Sequence, residues 1–239
     1  MPHVTVAGPL HEAGIALLEA AEGVTFDHVT DPDPEAYAAH LGHTDGLVLR
    51  TQPLTDDQII VGDVNSRTVA EHAFALLLAV SRDIPRSDAA VRRGDWGWRN
   101  GFTAREVDGK RLLIVGYGRI GRALGQRARA FGMTVAAYDP HLPHDAFDGA
   151  EREGDLPAAL ARADAVSLHL PGGAAPILDA DALAAMRPDA VLVNAARGGL
   201  VDEAALAEAL RAGRLRGAAL DVLGTEPPAP DHPLLTCET

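Results

Sequence analysis

Residues 112–139, LLIVGYGRIGRALGQRARAFGMTVAAYD, constrain the fold of this chain more than any other stretch. Four apolar residues, Leu112 to Val115, have the pattern of a buried strand, and Gly116, Gly118 and Gly121 follow in G-x-G-x-x-G spacing. A helical segment then runs to Phe131, and a second apolar strand ends at Asp139. This is a βαβ unit with a phosphate-binding turn. Gly116 permits the tight turn, Gly118 lets the backbone approach a pyrophosphate, and Gly121 lets helix and strand pack closely. The phosphates then sit at a helix N-terminus, against N–H groups that have no intrahelical partner. Asp139 lies where a carboxylate accepts hydrogen bonds from ribose hydroxyls and repels a 2′-phosphate, which predicts NAD over NADP.

A parallel α/β arrangement is expected on both sides of this unit. Residues 1–50 alternate strands at Val4–Ala7, Val24–Phe26 and Gly46–Leu49 with helices at Glu12–Ala21 and Pro34–Leu41, a smaller flavodoxin-like layer. After Asp139, helices at Leu156–Arg162, Ala180–Met186 and Glu203–Ala212 alternate with strands at Ala165–Leu170, Ala190–Val193 and Gly217–Val222. Pro171, Gly198 and Gly224 lie just past strand ends. The segments 169–173, 194–199 and 221–227 are therefore expected to converge on one rim, facing the cofactor. From Ser66, Val69, Ala73, Leu76, Leu77 and Val80 recur at helical spacing, and Phe74, Ala75 and Leu78 add apolar surface on other faces, so this helix must be covered on several sides. A more polar helix is expected over Asp88–Arg93 and a loop over Gly94–Arg99. The fold class is thus α/β: a doubly wound, parallel-sheet Rossmann domain over 61–239 and a smaller, incomplete domain over 1–60.

The 34 acidic and 21 basic residues give a net charge of −13, which argues against a nucleic-acid or anionic-membrane partner. The longest apolar run, Ala73 to Val80, is far below the roughly 18 residues of a membrane span. Cys237 is the sole cysteine, so no intrachain disulfide forms, and the N-terminus lacks a signal-peptide pattern; the cytoplasm is the expected compartment. His141 and His144 have no acids or cysteines at ligand spacing, so no metal is expected, and His72 reads as a helix residue satisfied locally. Arg50, Thr51 and Gln52 follow the third strand at its C-terminal end, where either a substrate contact or a solvated loop fits.

Seven stretches, DGLVLRTQPLT, NSRTVAEHAFALLLA, RRGDW, DGKRLLIVGYGRIG, SLHLP, AVLVNAARGGLVDEAAL and GAALDVLGTEPPAPDHPLL, together resemble the D-isomer-specific 2-hydroxyacid dehydrogenases. The resemblance covers most of the chain in family order. It implies NAD as cofactor and hydride transfer between nicotinamide C4 and C2 of a small 2-oxo or 2-hydroxy acid, in a homodimer formed through the Val69–Val80 helix region. By motif it makes Arg197 the arginine that binds the substrate carboxylate and Glu226 the glutamate that hydrogen-bonds a catalytic histidine. It sets Asp221, Ala195 and Ala196 near the nicotinamide, Arg119 and Ile120 over the pyrophosphate, and Leu170 and Pro171 beside the adenosine. Taken without the resemblance, Arg197 is a solvated charge and Glu226 a loop acid before Pro227.

Three departures from the family pattern stand out. The histidine expected soon after the glutamate segment is not in these 239 residues, and His232, six residues after Glu226, is no substitute. A strand and the glycine-rich carboxylate-binding loop are missing between Ile60 and Val61, and GGAAPILD after Pro171 is short. The expectation is that the sequence is a subset of a longer protein, closed up at these places. The competing reading is a non-catalytic NAD(H)-binding module of the corepressor type.

Overall fold

The computed structural model describes residues 1–31, 34–49, 65–101 and 104–237. The chain divides into two compact units, Met1–Asn65 and Ser66–Thr239. Arg50, Thr51, Gln52 and the expected break between Ile60 and Val61 lie outside the described residues.

The first unit runs β1 (His3–Ala7), α1 (Glu12–Glu19), β2 (Thr25–Val29), α2 (Pro34–Leu41) and β3 (Gly46–Leu49). Its strands are parallel in the order β2-β1-β3, the winding of a flavodoxin-like sheet. β2 continues three residues past the expected Phe26, because Asp27 to Val29 pair in register with Thr5 to Ala7. Val6 and Ala7 are the buried apolar residues among those described in this unit, so its core is thin.

The second unit begins with α3 (Ser66–Ser81), α4 (Ile84–Arg92) and a 3₁₀ turn at Trp96–Gly101 where a loop was expected. The alternation then runs β4 (Arg111–Val115), α5 (Arg119–Ala130), β5 (Thr134–Tyr138), β6 (Glu151–Glu153), α6 (Leu156–Leu160), β7 (Ala165–Leu168), α7 (Ala180–Ala185), β8 (Val191–Asn194), α8 (Glu203–Arg211) and β9 (Gly217–Leu220). All six strands are parallel, in the order β6-β5-β4-β7-β8-β9. Leu112 to Val115, β7 and β8 are buried throughout, as strands covered on both faces require. The helices start where the sequence supplies caps: Asp155, Asp179 and Asp202 accept the N–H groups of Ala158, Ala182 and Ala205. Each such cap contributes about 1 kcal/mol.

Three elements depart from or go beyond the sequence pattern: β6, α3 and α4. The edge strand β6 (Glu-Arg-Glu) carries no apolar signal; it is held by charge, with Glu153 buried between Arg111 (2.7 Å) and Arg162 (2.6 Å) and Glu151 at 2.8 Å from Arg111. The fully buried residues of α3 are Ser66, Ala70, Ala73, Phe74, Leu77 and Ser81; Ala73 and Leu77 of the expected apolar positions are among them, while Val69, Leu76 and Val80 are partly exposed. The buried face packs into one cluster with Leu112, Ile114 and Leu124, and Phe74 meets Phe131 edge-on at 4.8 Å. Small residues at 70 and 73 let α3 lie close along α5, with Phe74 and Leu77 filling the space beside them. α4 begins four residues before the expected Asp88, because Pro85 occupies its first turn, where a missing N–H costs nothing.

Candidate functional site

The strand order reverses between β4 and β7: β5 and β6 lie on one side of β4, and β7, β8 and β9 on the other. Open α/β sheets bind ligands at such a switch point, beyond the carboxyl ends of the strands. Gly116 follows β4, and Asp139, Leu170, Ala195 and Asp221 follow β5, β7, β8 and β9. The register places these ends level, with Val115 beside Tyr138 and Leu168, and Asn194 beside Leu168 and Leu220. The expected convergence of the loops on one rim therefore holds.

At the switch point the three fingerprint glycines have three distinct surroundings. Gly116 has φ +93°, and a Cβ there would lie 2.5 Å from the carbonyl oxygen of His169. At Gly121 a Cβ would lie 2.4 Å from the carbonyl oxygen of Gly116 and 3.0 Å from Ile114 Cγ2, so this glycine sets the contact of α5 with its own turn. Gly118 caps α5 with no side-chain acceptor, and a Cβ there would meet nothing within 4 Å. The N-terminus of a twelve-residue helix thus opens, uncapped, onto free space, which fits a pyrophosphate. Arg119 is exposed at the start of this helix and Ile120 packs against the core. Asp139 holds the turn from the other side, its carboxylate accepting the N–H groups of Tyr117 and His141, both at 3.0 Å.

His169, inside SLHLP, forms the floor under Gly116. Its Nε2 is 2.9 Å from Ser167 Oγ, while its Nδ1 is sealed from water with no hydrogen-bond partner. The residue as a whole is half-buried, but Nδ1 has no exposed surface, and burial lowers the pKa of the imidazole from 6.5 to about 4. The unfolded chain therefore binds more protons than the native one between those values. The stability contributed is fully present above pH 6.5 and is lost as pH falls toward 4. We expect denaturant unfolding to show about 2 kcal/mol less stability at about pH 5 than at about pH 7 from this group, a loss that His169→Gln reduces. An unchanged pH slope in the variant would contradict it.

At the end of β8, the buried Asn194 clamps the following loop. Its Nδ2 donates to the Arg197 carbonyl (2.8 Å), and its Oδ1 accepts the Ala196 N–H (3.1 Å). Arg197 is exposed, its guanidinium donating to the Ala196 carbonyl at 2.8 Å, with no carboxylate partner among the described residues. The next residue, Gly198, is pressed against the Leu223–Gly224 backbone, where a Cβ would come within 2.0 Å. Glu226 accepts the Leu223 N–H at 2.8 Å, and with Asp221 it lines one concave patch beside Leu220 and Leu223. The loops carrying Arg197 and Glu226 therefore abut.

Leu170 touches the Gly116 turn, while Pro171 is exposed past it. His232 is bound to Glu203 (3.0 Å), whose other oxygen accepts the Gly224 N–H (2.7 Å), so this histidine braces the 224 loop. His72 is not satisfied locally: its Nε2 lies 3.2 Å from Asp221 Oδ1 at the end of β9. That pair has no sequence signal, because it joins residues through the fold, whereas the Asn194 clamp is local to its loop.

A doubly wound parallel sheet with its glycine turn at the switch point, and on the same rim an arginine with no carboxylate partner among the described residues, defines a Rossmann-type dinucleotide-binding domain. The family model for the D-isomer specific 2-hydroxyacid dehydrogenase, NAD binding domain, matches residues 74–239, and the chain belongs to that family. It is 36% identical over 273 residues to D-3-phosphoglycerate dehydrogenase of Methanocaldococcus jannaschii, covering 100% of this chain and 52% of the relative. The Mycobacterium tuberculosis enzyme of the same name is 38% identical over 270 residues, covering 98% and 50%. The chain thus spans about half the length of these curated relatives. Both alignments are longer than the 239-residue chain, so the relatives carry internal segments without a counterpart here. Among solved structures, NADPH-dependent glyoxylate/hydroxypyruvate reductase from Sinorhizobium meliloti superposes with a TM-score of 0.70 at 26% identity, covering 99% of this chain and 84% of that one. No helix among the described residues is long and apolar enough to cross a membrane.

Proposed function

We propose that this protein is an NAD-dependent oxidoreductase acting between the 2-oxo and D-2-hydroxy forms of a small carboxylic acid. The observation that carries the reading is Arg197: a permanently charged, exposed guanidinium on the cofactor rim, on a fixed backbone and without an acidic partner among the described residues. A guanidinium suits a carboxylate because its fork matches both oxygens. When bound, NAD(H) supplies the hydride acceptor or donor; Gly116, Gly118 and Gly121 hold its pyrophosphate, and Asp139 its ribose. Arg197 binds and orients the acid and polarises its carbonyl, and Glu226 positions the group that carries the proton.

The two relatives named for D-3-phosphoglycerate support that acid as the first substrate to test. A homodimer through the partly exposed Val69, Leu76 and Val80 of α3, in the cytoplasm, completes the reading. It is tested by NADH oxidation across a panel of 2-oxo acids that includes 3-phosphohydroxypyruvate. Turnover of none, with NADH still bound, would favour the non-catalytic module instead. The cofactor preference is tested separately. The Sinorhizobium meliloti reductase is named for NADPH, whereas Asp139 here follows β5 beside the glycine turn, a position from which a carboxylate disfavours a 2′-phosphate. NADP is expected to bind at least about ten-fold more weakly than NAD, about 1.4 kcal/mol, and equal affinities in a titration would refute this.

A further inference from the structure

Three histidines and one aspartate meet at the N-terminal edge of the small sheet, within the first unit. β1 and β2 are parallel with His3 beside Thr25, so the side chains of His3, Thr25 and Asp27 share one face. The end of α2 and the turn after it bring His40 and His43 to the same place. Three ring nitrogens converge on a single carboxylate oxygen, Asp27 Oδ2: His40 Nδ1 at 2.7 Å, His3 Nε2 at 3.3 Å and His43 Nε2 at 3.7 Å.

Hydrogen bonding accounts for one of these contacts and not the others. His40 Nδ1 makes a hydrogen bond to Oδ2. His3 Nε2 does not, although it is sealed from water and has no other partner. The other nitrogen of that ring, Nδ1, lies 2.9 Å from Thr25 Oγ1. In the tautomer whose Nδ1–H donates to Thr25 Oγ1, Nε2, itself sealed from water, presents a lone pair to the partly exposed Asp27 carboxylate, so two acceptors face each other. A cation between them resolves the conflict. The ligand atoms of His3, Asp27 and His43 all lie within 4.8 Å of one another. Zinc–ligand bonds of 2.0–2.1 Å give a tetrahedral edge of roughly 3.4 Å, close to the 3.3 and 3.7 Å separations here.

We propose that His3, Asp27 and His43 bind a divalent transition-metal ion of the zinc class, with Thr25 and His40 holding the His3 ring and the Asp27 carboxylate in place. Two imidazoles and a carboxylate are a borderline donor set that suits zinc or cobalt over calcium or magnesium. The Thr25 and His40 contacts are the outer-shell bonds that fix ligand tautomer and orientation in such sites. The site ties β1, β2 and the turn before β3 across a sheet with two buried apolar residues among those described, where a metal staple stabilises most. It lies at the opposite end of its strands from the C-terminal rim and is independent of the dehydrogenase reading.

The test uses the full chain, without a histidine tag and stripped with chelator, titrated with Co²⁺ while its visible d–d absorption is followed, and then with Zn²⁺ as competitor. One saturable equivalent displaced by Zn²⁺ is expected. His40→Ala should weaken binding by about ten-fold or more. His43→Ala and Asp27→Asn should weaken it further, and His141→Ala should leave it unchanged. His43 is 59% exposed, so its removal spares the fold even if Asp27→Asn does not. Absence of a saturable band, or binding of wild-type strength in His43→Ala, overturns the proposal and leaves a proton-bridged histidine cluster.

Discussion

Replacing Arg197 with alanine is expected to lower kcat/KM for the 2-oxo acid by at least about 10², with NADH affinity within a few-fold of wild type and an unchanged thermal midpoint. The magnitude follows from losing a charge-assisted, paired contact to the substrate carboxylate, about 3 kcal/mol in the transition state. The selectivity of the effect follows from the surroundings. Arg105, Arg111, Arg127 and Arg187 each face a carboxylate within 3.2 Å, so removing one of those also leaves an acid without its partner. Arg197 donates to a backbone carbonyl of its own loop, and its alanine variant leaves the Asn194 clamp on the main chain intact. Arg197→Lys should recover part of the activity, since a point charge keeps the attraction but not the fork. Near-normal turnover in the alanine variant would mean that Arg197 is misassigned.

The parts of this site that were legible in the sequence are those made by neighbours along the chain. Gly116, Gly118, Gly121 and Asp139 fall within one βαβ unit, where local spacing alone fixes which backbone groups face the ligand. The alternation of β7 to β9 with α6 to α8 was equally plain, because buried strands and aspartate-capped helices repeat a short pattern. What escaped was made across the chain. β6 exists through the pairing of Glu153 with arginines 42 and 9 residues away, not through apolar residues. The buried face of α3 depended on which side could approach α5, and amphipathic spacing does not settle that for a helix apolar nearly all round. His72 on Asp221, and the meeting of His3, Asp27, His40 and His43, likewise depend on register and on where a turn ends. Arg197 and Glu226 stand between the two cases: their strand-end positions were readable, but their roles came only with the family resemblance, and the structure adds the Gly198–Leu223 contact that brings their loops together.

The glycine turn separates folding from cofactor binding in a way that paired substitutions should reveal. Gly116→Ala imposes two penalties. At φ +93° a Cβ is strained by about 1–2 kcal/mol, and it would also lie 2.5 Å from the His169 carbonyl oxygen, 2.7 Å from its carbon and 2.9 Å from Leu170 Cδ2. Two of these neighbours are backbone in the β7 exit and cannot swing aside as a flexible side chain would, so overpacking adds about 1–3 kcal/mol. A total of roughly 4 kcal/mol is a large share of the stability of an ordinary domain and corresponds to a thermal midpoint lower by about 10 °C. Gly118→Ala should behave in the opposite way. Its φ of −73° suits alanine, and its Cβ would meet no protein atom, so the apo protein should unfold within about 1 kcal/mol of wild type. The added methyl nevertheless projects into the space where the pyrophosphate must approach the N–H groups of α5, and NAD affinity should fall sharply. Melting curves with and without NAD distinguish the two roles. Equal destabilisation of both apo variants, or Gly118→Ala stabilised by NAD as strongly as wild type, would show that the open space at the α5 N-terminus is not where the dinucleotide sits.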